Sequence, residues 1–303
     1  MSANTPTPPR VALIGFGEAG GILATDLAAQ GLAVSTYDRL LAQAASRAPL
    51  EARAGEAGVR LADSAAAAAE GADWVISAVT AGSALDVARQ LAPHLQAGQL
   101  FIDINSVAPN TKRSARDAIE AAGASYIDAA VMAPVPPKRL QTPILLGGRR
   151  AAALLPELAA LGMNVRAVSE EVGVASAIKM CRSILIKGLE ALTAEAMTTA
   201  RRYGAEAEVL RSLHQSFPEM GWDGAQPHYL ISRIAEHGRR RAEEMEEVAK
   251  TAGDVGVIPH MSQATVHAQR GLVDAMAAQG LAYAALEPFD WTRLADALAH
   301  TPG

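Results

Sequence analysis

The stretch Val11-Ala12-Leu13-Ile14-Gly15-Phe16-Gly17-Glu18-Ala19-Gly20 narrows what this chain can fold into more than any other. An apolar run passes into Gly-x-Gly-x-x-Gly, and an Ala-rich segment follows without a break. A second apolar run, Leu32 to Tyr37, then ends in Asp38. Strand, glycine turn, helix and strand in that order predict a βαβ unit that binds a dinucleotide. Gly15 permits the tight turn, Gly17 lets the backbone approach a pyrophosphate, and Gly20 lets helix pack closely on strand. The helix start presents unpaired N–H groups to the anion, so Phe16, Glu18 and Ala19 complete the candidate cofactor loop. The competing reading is a structural glycine turn with no cofactor.

At 303 residues the chain suits two domains and can bury a sizeable core. Half of it is hydrophobic but only 4% is aromatic, so Ala, Leu and Val must build the interior, a composition that favours helix. A net charge of −5 offers no basic field to nucleic acid. The single cysteine, Cys181, rules out an internal disulfide and any cysteine-cluster metal site, which fits a reducing compartment. No other metal-ligand spacing occurs, and no apolar run is long enough to span a membrane. Residues 1–9 lack the charged start and apolar core of a secretion signal and read as a short disordered lead-in. These features predict a cytoplasmic protein.

From Val11 to Val168 short apolar runs alternate with helical stretches. Strands are expected at 11–16, 32–37, 74–79, 100–104, 125–128 and 143–147, with a weaker one at 164–168. Helices are expected at 18–30, 39–57, 64–70, 82–92 and 109–122. That alternation implies an α/β Rossmann-type domain with a mostly parallel sheet. Beyond Glu170 strand signals nearly vanish, and helical patterns are broken at Gly204, Gly221 to Pro227, Gly253 to Pro259 and Gly280. The expected organisation is a dinucleotide-binding domain over 10–168 and an all-helical domain over 169–303.

Several strand ends carry candidate chemistry. A carboxylate at Asp38 can accept hydrogen bonds from the ribose hydroxyls of NAD, whereas Arg39 could pair with the extra phosphate of NADP. The strand-end carboxylate favours NAD. Val79 and Thr80 end a further strand and should border the nicotinamide side, since ligands sit beyond the carboxyl ends of parallel strands. Asn105 and Ser106 end another and could orient substrate or, in Asn105's case, cofactor; the alternative is an ordinary turn or cap. Lys179, Ser183 and Lys187 follow at i, i+4, i+8 on one face of a largely apolar helix. Desolvated lysines there would suit general acid–base work, while the alternative has both ammonium groups reaching solvent. Between His237 and Met245, Arg240 and Glu244 are spaced for an i, i+4 pair. The solvated charged face competes with a carboxylate-binding role for Arg240 or Arg241.

The ordered set of Gly-x-Gly-x-x-Gly, Asp103-Ile-Asn-Ser-Val-Ala-Pro, Asp128-Ala-Ala-Val and Gly173-Val-Ala-Ser-Ala-Ile-Lys179 resembles the β-hydroxyacid dehydrogenases over essentially the whole chain. That family includes 3-hydroxyisobutyrate and 6-phosphogluconate dehydrogenases. The resemblance implies a Rossmann-type domain joined by a long helix to a helical domain that forms a homodimer. It also places the family's catalytic lysine on Lys179. Where the family usually has Asp-x-Pro-Val-Ser-Gly-Gly to hold a substrate carboxylate, this chain has Asp128-Ala-Ala-Val-Met132-Ala133-Pro134. Proline has no N–H and methionine no hydroxyl, so Met132 implies a different or less polar substrate. Ser183 replaces the usual asparagine four residues after the lysine. The C-terminal half is similar to a divergent subgroup with a phosphogluconate-dehydrogenase-like domain.

The resulting expectation is an NAD-preferring or NADP-using oxidoreductase that interconverts a small hydroxy acid, or related alcohol, and its carbonyl form. Lys179 would be its general acid–base, Asn105, Ser106 and Ser183 its orienting groups, and Lys187 or Arg240 its partner for an acidic group. Two alternatives stand beside it. The Val-Met-Ala-Pro stretch is similar to NADPH-dependent imine reductases, although those usually carry aspartate or tyrosine in place of Lys179. The other is a non-catalytic nucleotide sensor.

Overall fold

Eight strands form one sheet in the order β3-β2-β1-β4-β5-β6-β7-β8 in the computed structural model, which describes residues 8–299. They are β1 (Val11–Ile14), β2 (Val34–Tyr37), β3 (Arg60–Leu61), β4 (Trp74–Ser77), β5 (Leu100–Asp103), β6 (Ser125–Val131), β7 (Ile144–Gly147) and β8 (Val165–Ser169). Every neighbouring pair is parallel except β6 and β7. The helices of this half are α1 (Glu18–Ala29), α2 (Ala44–Glu56), α3 (Ala65–Ala69), α4 (Ala84–Leu91), α5 (Pro109–Ala121) and α6 (Ala151–Ala160). Apart from Pro8 and Pro9, the lead-in of residues 1–9 lies outside the described residues.

The apolar runs become central strands because both faces of the sheet are covered. Alternate residues of β1 enter different cores. Val11 and Leu13 pack with Leu23, Leu27 and Ile102 on one face, and Ala12 and Ile14 pack with Val75, Leu91 and Phe101 on the other. The reversed β7 follows from its connection. A parallel return needs a crossover of a dozen or more residues, usually helical; the link from Val131 to Ile144 carries Pro134, Pro136, Pro137 and Pro143 and holds only a short 3₁₀ turn.

Two local expectations are corrected. The helix expected over 39–57 is interrupted: Arg39–Ala42 is a 3₁₀ turn, Gln43 is extended, and α2 begins at Ala44. Asp38 causes the break by accepting the Leu40 N–H at 2.9 Å, which favours a cap over a continued helix. The two-residue edge strand β3 was not expected, being too short to carry an alternation pattern.

The chain divides into two compact units, 1–179 and 180–303. The helix α7 (Val174–Tyr203) contributes its start to the first and its remainder to the second. The second unit also contains α8 (Glu206–Ser216), α9 (Gln226–Gly253), α10 (His260–Ala278) and α11 (Trp291–Ala299), with no strand among its described residues. Its interior gathers Met197, Ile231, Met276, Trp291 and Leu294, and separately Met180, Ala242, Met245, Val248 and Val266. No helix among the described residues is long and apolar enough to cross a membrane.

Candidate functional site

The strand order reverses between β1 and β4, because β2 and β3 lie to one side of β1 while β4 and β5 lie to the other. In an open parallel sheet such a switch point opens a crevice at the carboxyl ends of the strands. The loop 15–20 after β1, Val79-Thr80 after β4 and Asn105-Ser106 after β5 all leave the sheet at that edge.

The three glycines of the loop have different causes. Gly15 has φ +98°, and a Cβ there would strike the Ala78 carbonyl. A Cβ on Gly20 would strike the Gly15 carbonyl. Gly17 has no heavy atom within 4 Å of its Cβ position, so that side of the loop is open. Gly17 also caps α1 without any side-chain hydrogen bond, leaving the first N–H groups of the helix for an anion. This open cradle fits a dinucleotide pyrophosphate.

Phe16 enters the site differently from its neighbours. Its side chain is buried in the core, with the Arg53 guanidinium carbon 4.3 Å from its ring centre. Its N–H donates to Asp38 Oδ2 at 2.8 Å. Asp38 therefore fastens the glycine loop to the end of β2 with one oxygen and caps the 3₁₀ turn with the other. An ionised carboxylate offers about four acceptor sites, so capacity for ribose hydroxyls remains. Glu18 and Arg39 are exposed.

Asn105 is buried and acts as a brace. Its Oδ1 accepts the Val79 N–H at 2.7 Å, and its Nδ2 donates to Ser77 Oγ at 2.9 Å. It thus locks the end of β4 to the end of β5. Thr80 Oγ1 lies 3.0 Å from Ser83 Oγ. The next residue, Ser106, accepts a hydrogen bond from Lys179 Nζ. This contact joins a loop residue to a helix residue 73 positions away in the chain. Met132 packs against the small cluster of Ala130, Leu145 and Ala175, the last lying one turn before Lys179.

The other candidates fall in the second unit. Lys187 Nζ pairs with Glu244 at 2.9 Å and reaches Ser183 Oγ at 3.4 Å. Arg240 also pairs with Glu244, as the i, i+4 spacing predicted. Arg241 is buried and forms a two-pronged contact with Glu190, whose Oε2 also accepts from Gln269 Nε2 at 3.1 Å. The solvated-face expectation therefore fails for Arg241, since α9 turns that residue inward.

Sequence reasoning missed a buried charge cluster under the strand ends. Lys112 Nζ lies 2.9 Å from Asp103 Oδ1 and 3.6 Å from Asp128 Oδ1, and donates to the Asp103 carbonyl at 2.6 Å. Tyr126 donates its hydroxyl proton to Asp103 Oδ2 at 2.6 Å. Burial pushes the Tyr126 phenol well above its usual range, and the Asp103 charge adds to this, so it stays a donor. The signal was present: Lys112 shares the buried stripe of α5 with Pro109, Ala115 and Ile119, and a lysine on such a stripe needs a partner.

A doubly wound sheet with this cradle at its switch point defines a dinucleotide-binding protein. The family described as the NAD binding domain of 6-phosphogluconate dehydrogenase matches residues 10–169, and a domain of unknown function, DUF1932, matches 200–272. A solved conserved hypothetical protein from Sinorhizobium meliloti 1021 is 40% identical, with 97% of each chain covered and a TM-score of 0.79. Two Pseudomonas aeruginosa enzymes, 3-hydroxyisobutyrate dehydrogenase (29% identical) and NAD-dependent L-serine dehydrogenase (30%), each align over 70% of this chain and 71% of their own. The chain belongs to the β-hydroxyacid dehydrogenase family and is an NAD(P)-dependent oxidoreductase of the hydroxyacid-dehydrogenase type.

Proposed function

We propose that the protein oxidises the secondary or primary alcohol of a small β-hydroxy acid, and reduces the product in reverse, with Lys179 as the proton-transferring residue. The observation that carries this reading is the Lys179–Ser106 contact at the carboxyl end of β5. A bound nicotinamide supplies the hydride-accepting carbon. Lys179 then takes the hydroxyl proton on oxidation and returns it on reduction, while Ser106 orients the substrate oxygen. Asn105 contributes through the placement of Ser106 and Val79 and not by direct contact with substrate. Ser183, Lys187 and Arg240 are proposed as further substrate-binding residues, with Lys187 and Arg240 sharing Glu244 as their ion-pair partner.

The relatives that act on 3-hydroxyisobutyrate and L-serine supply the first substrates to test. The wall at Met132 argues for a less polar substituent than a family carboxylate pocket would take. The Met132 N–H already donates to the Pro143 carbonyl at 2.8 Å, and Pro134 has no N–H. The deciding experiment follows reduced-cofactor absorbance with NAD or NADP over a panel of β-hydroxy acids, aldonates and aryl alcohols. Turnover only of cyclic imines with NADPH would overturn the reading.

For the cofactor we propose a preference for NAD, held by Asp38 at the ribose. Asp38→Ala is expected to weaken NAD by about tenfold to a hundredfold, the effect of losing a charged hydrogen-bond acceptor. NADP should weaken less, through loss of the Phe16 tether alone. Isothermal titration with both dinucleotides checks this, and equal losses would leave Asp38 only its tethering role.

We also propose that two copies pair through the helical unit. Leu185 and Leu192, seven residues apart on α7, are both exposed, an apolar stripe that a soluble helix ordinarily covers. Light scattering on the eluting protein should give twice the chain mass, and Leu185→Glu should halve it.

A further inference from the structure

The helix that carries Lys179 is capped by a side chain from the sheet. Asp128 Oδ2 accepts the N–H groups of Gly173 at 3.0 Å and Ser176 at 3.1 Å, and Oδ1 accepts the Ser176 hydroxyl at 2.5 Å. A helix start has unpaired N–H groups and a partial positive charge, so a carboxylate is the favoured cap. Here position 173 is glycine and offers no cap of its own; the cap comes from β6, some 45 residues earlier in the chain. Ser176 and Lys179 are i, i+3 and share one helix face.

The same cluster fixes the other side of the contact. Asp103 is the register partner of Asp128 on the neighbouring strand. Its Oδ1 accepts the Asn105 N–H at 2.9 Å, which holds the backbone immediately before Ser106. Lys112, with no solvent exposure, lies between the two aspartates. One buried ammonium thus ties the carboxylate that seats the Lys179 helix to the carboxylate that seats the Ser106 loop. Free helix ends fray, and fraying of this first turn would move Lys179 away from Ser106. Reactive groups lose much of their rate when misplaced by about 1 Å.

We propose that Asp128 and Ser176 are positioning residues that hold Lys179 against Ser106, an inference that rests on the reading of Lys179 as the proton-transferring group. Their effect is exerted through the helix start, without contact with the reacting atoms.

The test uses the full chain and needs no substrate. Lysines are acylated with trace acetic anhydride across a pH series, and peptides are quantified for Lys179 and for the exposed Lys138 as an internal control. Ser176→Ala should raise the Lys179 labelling rate about fivefold, the factor that loss of one ordinary hydrogen bond yields. Lys138 should be unchanged, Asp128→Asn should act in the same direction, and Ser176→Thr should restore the wild-type rate. Labelling of Lys179 that is unchanged in both variants overturns the proposal, as does a rise matched at Lys138, which would mark general loosening. Lys179→Ala that keeps full turnover would instead remove the proposed function and leave the labelling result to be judged by itself.

Discussion

Lys179→Ala is expected to lower turnover of the best β-hydroxy acid substrate by about 10²–10⁴-fold, the range for a positioned acid–base group. The dissociation constant for NAD should stay near its wild-type value, because the glycine loop and Asp38 are held by contacts that do not include Lys179. Lys179→Arg separates the two roles this side chain could have. A guanidinium keeps the positive charge and can still donate to Ser106, but it does not give up a proton in any ordinary pH range. If Lys179 transfers the proton, the arginine variant binds substrate with a nearly unchanged KM and is as slow as the alanine variant. If Lys179 only docks substrate, arginine recovers most of the rate. Steady-state kinetics on both variants decide this, and near-normal turnover by the alanine variant would remove Lys179 from the chemistry.

How much of this was legible in the sequence differs from residue to residue. The glycine loop was readable because its glycines answer to backbone geometry within a few residues: a positive φ at Gly15 and a close approach at Gly20. The central strands were readable because burial on both faces demands continuous apolar runs. The Lys179-Ser183-Lys187 face was a correct inference about spacing that said nothing about partners. Lys179 turns out to meet Ser106, whereas Lys187 meets Glu244. Arg240–Glu244 was visible as a local pair, but the neighbouring Arg241–Glu190 pair joins residues 51 apart, and no periodicity reports such a contact. Asp38 shows a third kind of case. Its place at a strand end raised the expectation of a ribose acceptor, whereas its tether to the Phe16 N–H appears only once β1 and β2 are side by side. The antiparallel β7 was available in the proline-rich link before it, though apolar content alone does not reveal strand direction.

Lys112→Met should destabilise the first unit by about 3–5 kcal/mol, the cost of removing one partner from a buried ion pair. For a unit of this size that is a fall in Tm on the order of 10 °C. The packing change is small, since methionine fills nearly the same volume with an unbranched chain. The loss comes from the two carboxylates left behind, Asp103 being 1% and Asp128 0% exposed. They would not suffer equally. Asp128 retains the Gly173 and Ser176 N–H groups and the Ser176 hydroxyl, whereas Asp103 retains the Tyr126 hydroxyl and the Asn105 N–H. Adding Asp103→Asn to Lys112→Met therefore removes the less supported charge and should recover roughly half of the lost stability, a coupling expected of residues that share one network. Urea denaturation of the single and double variants measures it. A double variant no more stable than Lys112→Met would show that the loss lies in packing, and the buried ammonium would then have no special part in seating either Lys179 or Ser106.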